Sequence, residues 1–94
     1  MKTCRNLEDV RAEIDRLDGA IVALLAERGH YVGQAARFKK TEDQVRAPAR
    51  VEQVIAKVRA LAEGQGASPE VVEAVYRAMI DAFIRLEMGA FKAG

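Results

Sequence analysis

Residues 7–39, LEDVRAEIDRLDGAIVALLAERGHYVGQAARFK, decide the fold. Apolar or small side chains recur at Leu7, Val10, Ile14, Leu17, Ile21 and Leu24, then pass over Arg28 to Tyr31, Ala35 and Phe38. That spacing is an a/d heptad repeat with one interruption, widened by Leu25 and Val32. Asn6, with Glu8 and Asp9 behind it, reads as an N-cap followed by an acidic first turn. No proline breaks the pattern, and Gly19, Gly29 and Gly33 each weaken it only slightly. One helix from Leu7 to Lys39 is predicted. At 1.5 Å per residue it would be about 50 Å long, against a diameter of about 32 Å for a compact chain of this size. Its own chain cannot cover the apolar stripe, and the same helix of a second copy is the simplest cover.

Outward from this helix, Lys40–Ala47 (KTEDQVRA) is polar and non-periodic and reads as a loop, a natural lid candidate. Pro48 suits a first helical position, and Val51, Val54, Ile55, Val58 and Leu61 form a second stripe that Gly64 and Gly66 end. Ser68 and Pro69 then start a third helix carrying Val72, Val75, Tyr76, Met79, Ile80, Phe83, Ile84 and Phe91. Period-2 alternation is absent, so the chain reads as all-α, with three helices in one domain spanning residues 1–94.

The 15 Lys and Arg stand against 14 Asp and Glu, a net charge of +1 with the signs interspersed. Nucleic-acid binding needs a basic face, which this mixture does not supply. One cysteine, Cys4, and one histidine, His30, make neither a disulfide framework nor a metal cluster within a chain. The opening MKTCRNLEDV has no apolar signal core and no run reaches membrane-spanning length, so a cytoplasmic protein is expected.

Polar residues at apolar positions carry the functional question. Arg28 sits on the heptad seam, where its guanidinium must snorkel to water, pair with a carboxylate or hold a ligand. On a continuous helix Lys39, eleven residues on, would be turned only about 20° from Arg28 and raised about 16 Å. Val32, Ala35 and Ala36 would leave a hollow between the two cations that suits a small molecule with separated anionic groups. Alternatively, Lys39 simply complements the helix C-terminus. Arg11 is displaced about 25 Å from Arg28 and reaches such a hollow only from an antiparallel partner; otherwise it is a solvated surface arginine. Glu87 projects from the apolar side of the last helix, seven residues after Ile80 and flanked by Phe83, Ile84, Ala90 and Phe91. It is either a core salt bridge to Arg28 or Lys39, or a carboxylic acid kept partly neutral as a hydrogen-bond donor. Arg50 lies in the first turn of the second helix, where an anionic neighbour is favoured.

Together these residues resemble the all-α chorismate mutase family, including its isochorismate-pyruvate lyase branch. The likeness covers nearly the whole chain and rests on VRAEIDRLD with Arg11, LLAERGHYVGQAARFK with Arg28 and Lys39, APARV with Arg50, and Glu87. It implies an intertwined homodimer with two active sites, each built from both chains, and no cofactor or metal. The substrate implied is a small dicarboxylate, chorismate or isochorismate. By resemblance Arg11 enters in trans, Arg28 grips a carboxylate, and Lys39 contacts a carboxylate and the ether oxygen. Arg50 and Val51 stand at the edge of the site, and Ala35 on its wall. Glu87 occupies a position that usually holds a glutamine donating to the same ether oxygen. A glutamate does this only when protonated, which predicts higher activity at mildly acidic pH.

Two departures bear on the reaction. Val51 stands where mutases commonly place a glutamate for the ring hydroxyl, and Ala47 where an acidic residue is often found; both look closer to the lyase branch. Glu87 departs from the lyase pattern as well. The first reading is therefore chorismate mutase, converting chorismate to prephenate, with isochorismate-pyruvate lyase close behind. A non-catalytic helical dimer that scaffolds partners accounts for the heptads but not for the cations and the acid on apolar faces.

Overall fold

A computed structural model describes residues 1–93 of the chain, and these hold four helices and no strand. They are α1 (Leu7–Ala36), α2 (Glu42–Arg46), α3 (Pro48–Gly64) and α4 (Pro69–Ala93). The all-α expectation holds. The chain divides into two compact units, Met1–Tyr31 and Val32–Gly94.

The first unit holds most of α1. Its start follows the sequence signal: Asn6 Oδ1 accepts from the Asp9 amide at 2.9 Å, while the Arg5 amide donates back to Asp9 Oδ2 at 3.2 Å. The glycines leave the helix unbroken. Yet α1 buries no residue, and the apolar seam residues from Leu7 to Tyr31 stay between 39% (Val10) and 65% (Leu24) exposed.

In the second unit α1 ends at Ala36, three residues before the predicted end at Lys39. Tight i→i−3 bonds close it, from the amides of Arg37, Phe38 and Lys39 to the carbonyls of Gln34, Ala35 and Ala36. The segment read as a loop contains α2. Thr41 Oγ1 accepts from the Gln44 amide at 3.1 Å, Gln44 Oε1 accepts from the Lys40 amide, and Glu42 and Asp43 favour the positive end. This new start claims the backbone that α1 would have needed to continue. Val45, the one residue α2 buries, is 1% exposed, and α2 packs against α4.

Ala47 joins α2 to α3 with no linker, serving as C-cap of one and N-cap of the other at φ 41°. It donates to the Asp43 carbonyl at 2.8 Å and accepts from the Val51 amide at 3.0 Å. Pro48 opens α3 as expected, and Gly66 at φ 72° turns the chain after it, while the Ala67 amide reaches the Ala62 carbonyl at 2.8 Å. Ser68 Oγ caps α4 by accepting from the Val71 amide at 3.2 Å. α3 packs on α4 around Ile55, Val58, Ala62 and Ile80, with Val45 completing the buried apolar set. Of the stripe residues, Leu61 and Val75 remain exposed.

A charged ladder crosses the α3–α4 surface. Arg77 holds Glu52 with two bonds of 2.9 Å and Glu73 at 2.7 Å, and Arg59 holds Glu73 at 2.7 Å and Glu70 at 3.4 Å. The Arg77 hydrogen bonds, joined at Glu73 by Arg59, hold the Glu52 and Glu73 carboxyls below the usual carboxylate range.

Candidate active site

Glu87 reaches its place because α4 buries one side of itself. Ile80 and Glu87, seven residues apart, come to nearly the same face and are the two residues α4 buries. A buried carboxylate needs a partner, and Lys39 supplies it: Nζ lies 2.8 Å from Oε2, with the lysine side chain 23% and the glutamate side chain 5% exposed. The distance is that of a charge-assisted bond. Of the two partners expected for Glu87, the structure pairs it with Lys39.

Lys39 arrives there by another route than predicted. It does not ride the last turn of α1 but lies in the five-residue stretch, 37–41, between α1 and α2. The rotation and rise that placed it on one face with Arg28 assumed a continuous helix, so they do not apply. An ammonium has three donors. Glu87 engages one of them, so a second anion can be bound without breaking the pair.

The other predicted residues of this unit have plain locations. Ala35 is exposed in the last turn of α1, Arg50 is exposed in the first turn of α3, and Val51 next to it is half-buried. In the first unit, Arg11 is exposed near the start of α1 and Arg28 is half-buried further along it. Among the described residues no three His, Cys, Asp or Glu side chains gather where they could hold a metal ion, and no helix is long and apolar enough to cross a membrane.

Sequence reasoning missed the short helix that follows Lys39 and its contacts. Val45 anchors α2, and Glu42 of α2 meets Lys92 of α4 at 3.1 Å. The capping pattern TEDQ at residues 41–44 was the available signal.

Comparison with known proteins bears on this arrangement. The family model for chorismate mutase type II matches residues 10–88. An isochorismate pyruvate lyase from Pseudomonas aeruginosa is 38% identical over 87 residues, which span 89% of this chain and 86% of the relative.

Proposed function

Since the chain belongs to the chorismate mutase type II family, we propose that its physiological reaction is the cleavage of isochorismate to salicylate and pyruvate. The group of enzymes, chorismate mutase and isochorismate pyruvate lyase, follows from the family and the relative. The choice within it rests on the relative's activity together with Val51, an apolar side chain where a mutase would hold a ring hydroxyl. The rearrangement of chorismate to prephenate is the second reading, favoured by the family's own description.

Both reactions are unimolecular and ask the protein for the same two things: a compact conformer of the substrate, and stabilisation of negative charge developing on the ether oxygen. In the lyase reaction the ether C–O bond breaks, a ring hydrogen moves to the enolpyruvyl methylene, and the ring becomes aromatic. Every substrate atom ends in salicylate or pyruvate, and no external oxidant is consumed.

The observation that carries the reading is the Lys39–Glu87 pair, a cation fixed beside a buried carboxylate with donors to spare. In our reading Lys39 donates to the ether oxygen and a carboxylate, and Glu87 acts through Lys39 as its fixed counter-charge. Arg28 grips a carboxylate bidentately, Arg50 and Val51 border the ring, and Ala35 forms part of the wall. The 94 residues act as one domain in a cytoplasmic homodimer paired along the α1 seam, and Arg11 enters each site from the partner.

One assay decides the reaction: isochorismate and chorismate are supplied separately, and salicylate plus pyruvate or prephenate is measured. Prephenate as the faster product would move the assignment to the mutase, and turnover of neither would remove the enzymatic reading. Lys39→Ala should lower kcat by about 10²–10³-fold, the cost of losing one preorganised donor. A rate that rises toward mildly acidic pH in wild type but not in Glu87→Gln would instead make Glu87 a neutral donor. The shared site has its own test, since Arg11→Ala and Lys39→Ala chains, each inactive alone, should regain about a quarter of full activity when mixed as subunits. No regain would place Arg11 in the same chain's site, and an active Arg11→Ala chain would place it in none.

A further inference from the structure

The segment that delivers Lys39 is secured at points remote from the lysine. α2 begins directly after its cap Thr41, three residues beyond Lys39, packs on α4 through Val45, and is tied to the far end of α4 by Glu42 and Lys92 at 3.1 Å. Its last residue is locked directly into α3 by Ala47. Val45 is the most completely buried side chain among the described residues, more so than any residue of the α3–α4 core. A polar five-residue helix has no intrinsic stability of its own, because helix nucleation is unfavourable at that length. Its persistence therefore depends on these attachments.

We propose that α2 is a clasp that presets Lys39: Val45, assisted by the Glu42–Lys92 bridge, holds residues 37–47 on α4 so that Lys39 meets Glu87 before any substrate is bound. Val45, Glu42 and Lys92 are then positioning residues, acting through Lys39 without touching the substrate. The proposal rests on the reading that Lys39 contacts the substrate. Its consequence is a particular kinetic signature. Loosening the clasp lowers the fraction of molecules whose lysine is in place, and binding must then be spent on restoring it, so the apparent affinity falls by that fraction while the bound complex is unchanged.

The experiment compares Val45→Ala, Val45→Thr, Glu42→Lys and the double exchange Glu42→Lys with Lys92→Glu, all in the full-length chain. For Val45→Ala, KM should rise about tenfold with kcat within about twofold of wild type. Hydrogen exchange at the Val45 amide, which donates to the Thr41 carbonyl at 3.2 Å, should speed up and slow again with salicylate bound. Val45→Thr keeps the shape but buries a hydroxyl, and should shift KM in the same direction if the alanine variant fails to fold. Glu42→Lys should raise KM by less than about fivefold, as fits an exposed pair, and the double exchange should restore it. A drop in kcat at unchanged KM, or no change in either with Val45→Ala and Val45→Thr folded, overturns the clasp. Lys39→Ala separates the two levels: if it leaves kcat intact the site reading has failed, whereas a large loss there beside a silent Val45 leaves the site standing and removes the clasp.

Discussion

If two copies pair along the α1 seam as proposed, Leu17→Glu should convert them to monomers. Leu17 lies in the middle of the α1 seam and is 47% exposed, so a second helix laid along the seam has about half of its side chain left to bury. Full burial of a leucine is worth about 1.5–3 kcal/mol, which makes the remaining half about 1 kcal/mol per copy and about 2 kcal/mol per dimer. The glutamate also brings two carboxylates to an apolar seam, at about 1–3 kcal/mol each. The combined loss of roughly 4–8 kcal/mol corresponds to a dissociation constant raised by about a thousandfold or more. The seven seam residues from Leu7 to Tyr31 together offer about 14 kcal/mol per dimer on the same scale, against an association cost of about 4–15 kcal/mol, so the seam has little to spare. Sedimentation velocity over a concentration series reads the outcome directly. If, as proposed, Arg11 enters each site from a partner, turnover per chain should fall with the dimer fraction. A Leu17→Glu variant that sediments as wild type, or a wild type that stays monomeric at high concentration, would refute the reasoning.

Three further predictions concern the second unit. Lys39→Met leaves the buried Glu87 carboxylate without its cation and should cost about 2–4 kcal/mol at neutral pH. A Lys39→Met, Glu87→Leu double variant should recover most of that in urea melts at fixed protein concentration, and equal stability of single and double would sink the account. Ala47→Gly should stabilise by about 0.5–1 kcal/mol, because φ 41° strains a residue with a β-carbon, and an unchanged or lowered melting temperature would count against it. Arg77→Met should flatten the acid side of the stability curve. The Glu52 and Glu73 carboxyls are depressed from an ordinary 4.5, so their stabilisation is present above that value and is lost as pH falls through the depressed folded values. Parallel melting curves for wild type and variant between about pH 5 and pH 3 would contradict this.

Much of the architecture could be read from local chemistry. Asn6, Pro48, Ser68 and Gly66 mark helix ends by cap geometry that depends only on near neighbours, and each does what its residue type demands. Glu87 was visible as a polar group on a buried side because Ile80 and the aromatic positions around it share helical spacing. The end of α1 was not visible, since Arg37 and Phe38 keep the heptad going and no glycine or proline stops it. What stops it is competition: the Thr41 and Gln44 side chains take the following amides for another helix. That helix is too short for periodicity to register, and its stability comes from docking Val45, a tertiary contact that local pattern does not report. The lysine was thus singled out from a mistaken backbone, and its contact with Glu87 comes from the stretch after the helix rather than from a continued helix.

The single-residue junction at Ala47 sets where the chain can change length. Because one alanine finishes α2 and starts α3, adding or deleting a residue there would turn one helix by about 100° against the other and swing Val45 off its support. The Gln65–Ala67 turn, by contrast, consists of exposed residues and carries no buried side chain. Libraries of insertions and deletions should therefore be purged at 46–48 and survive at 65–67, and loop grafting or tag insertion in this scaffold belongs at the second place.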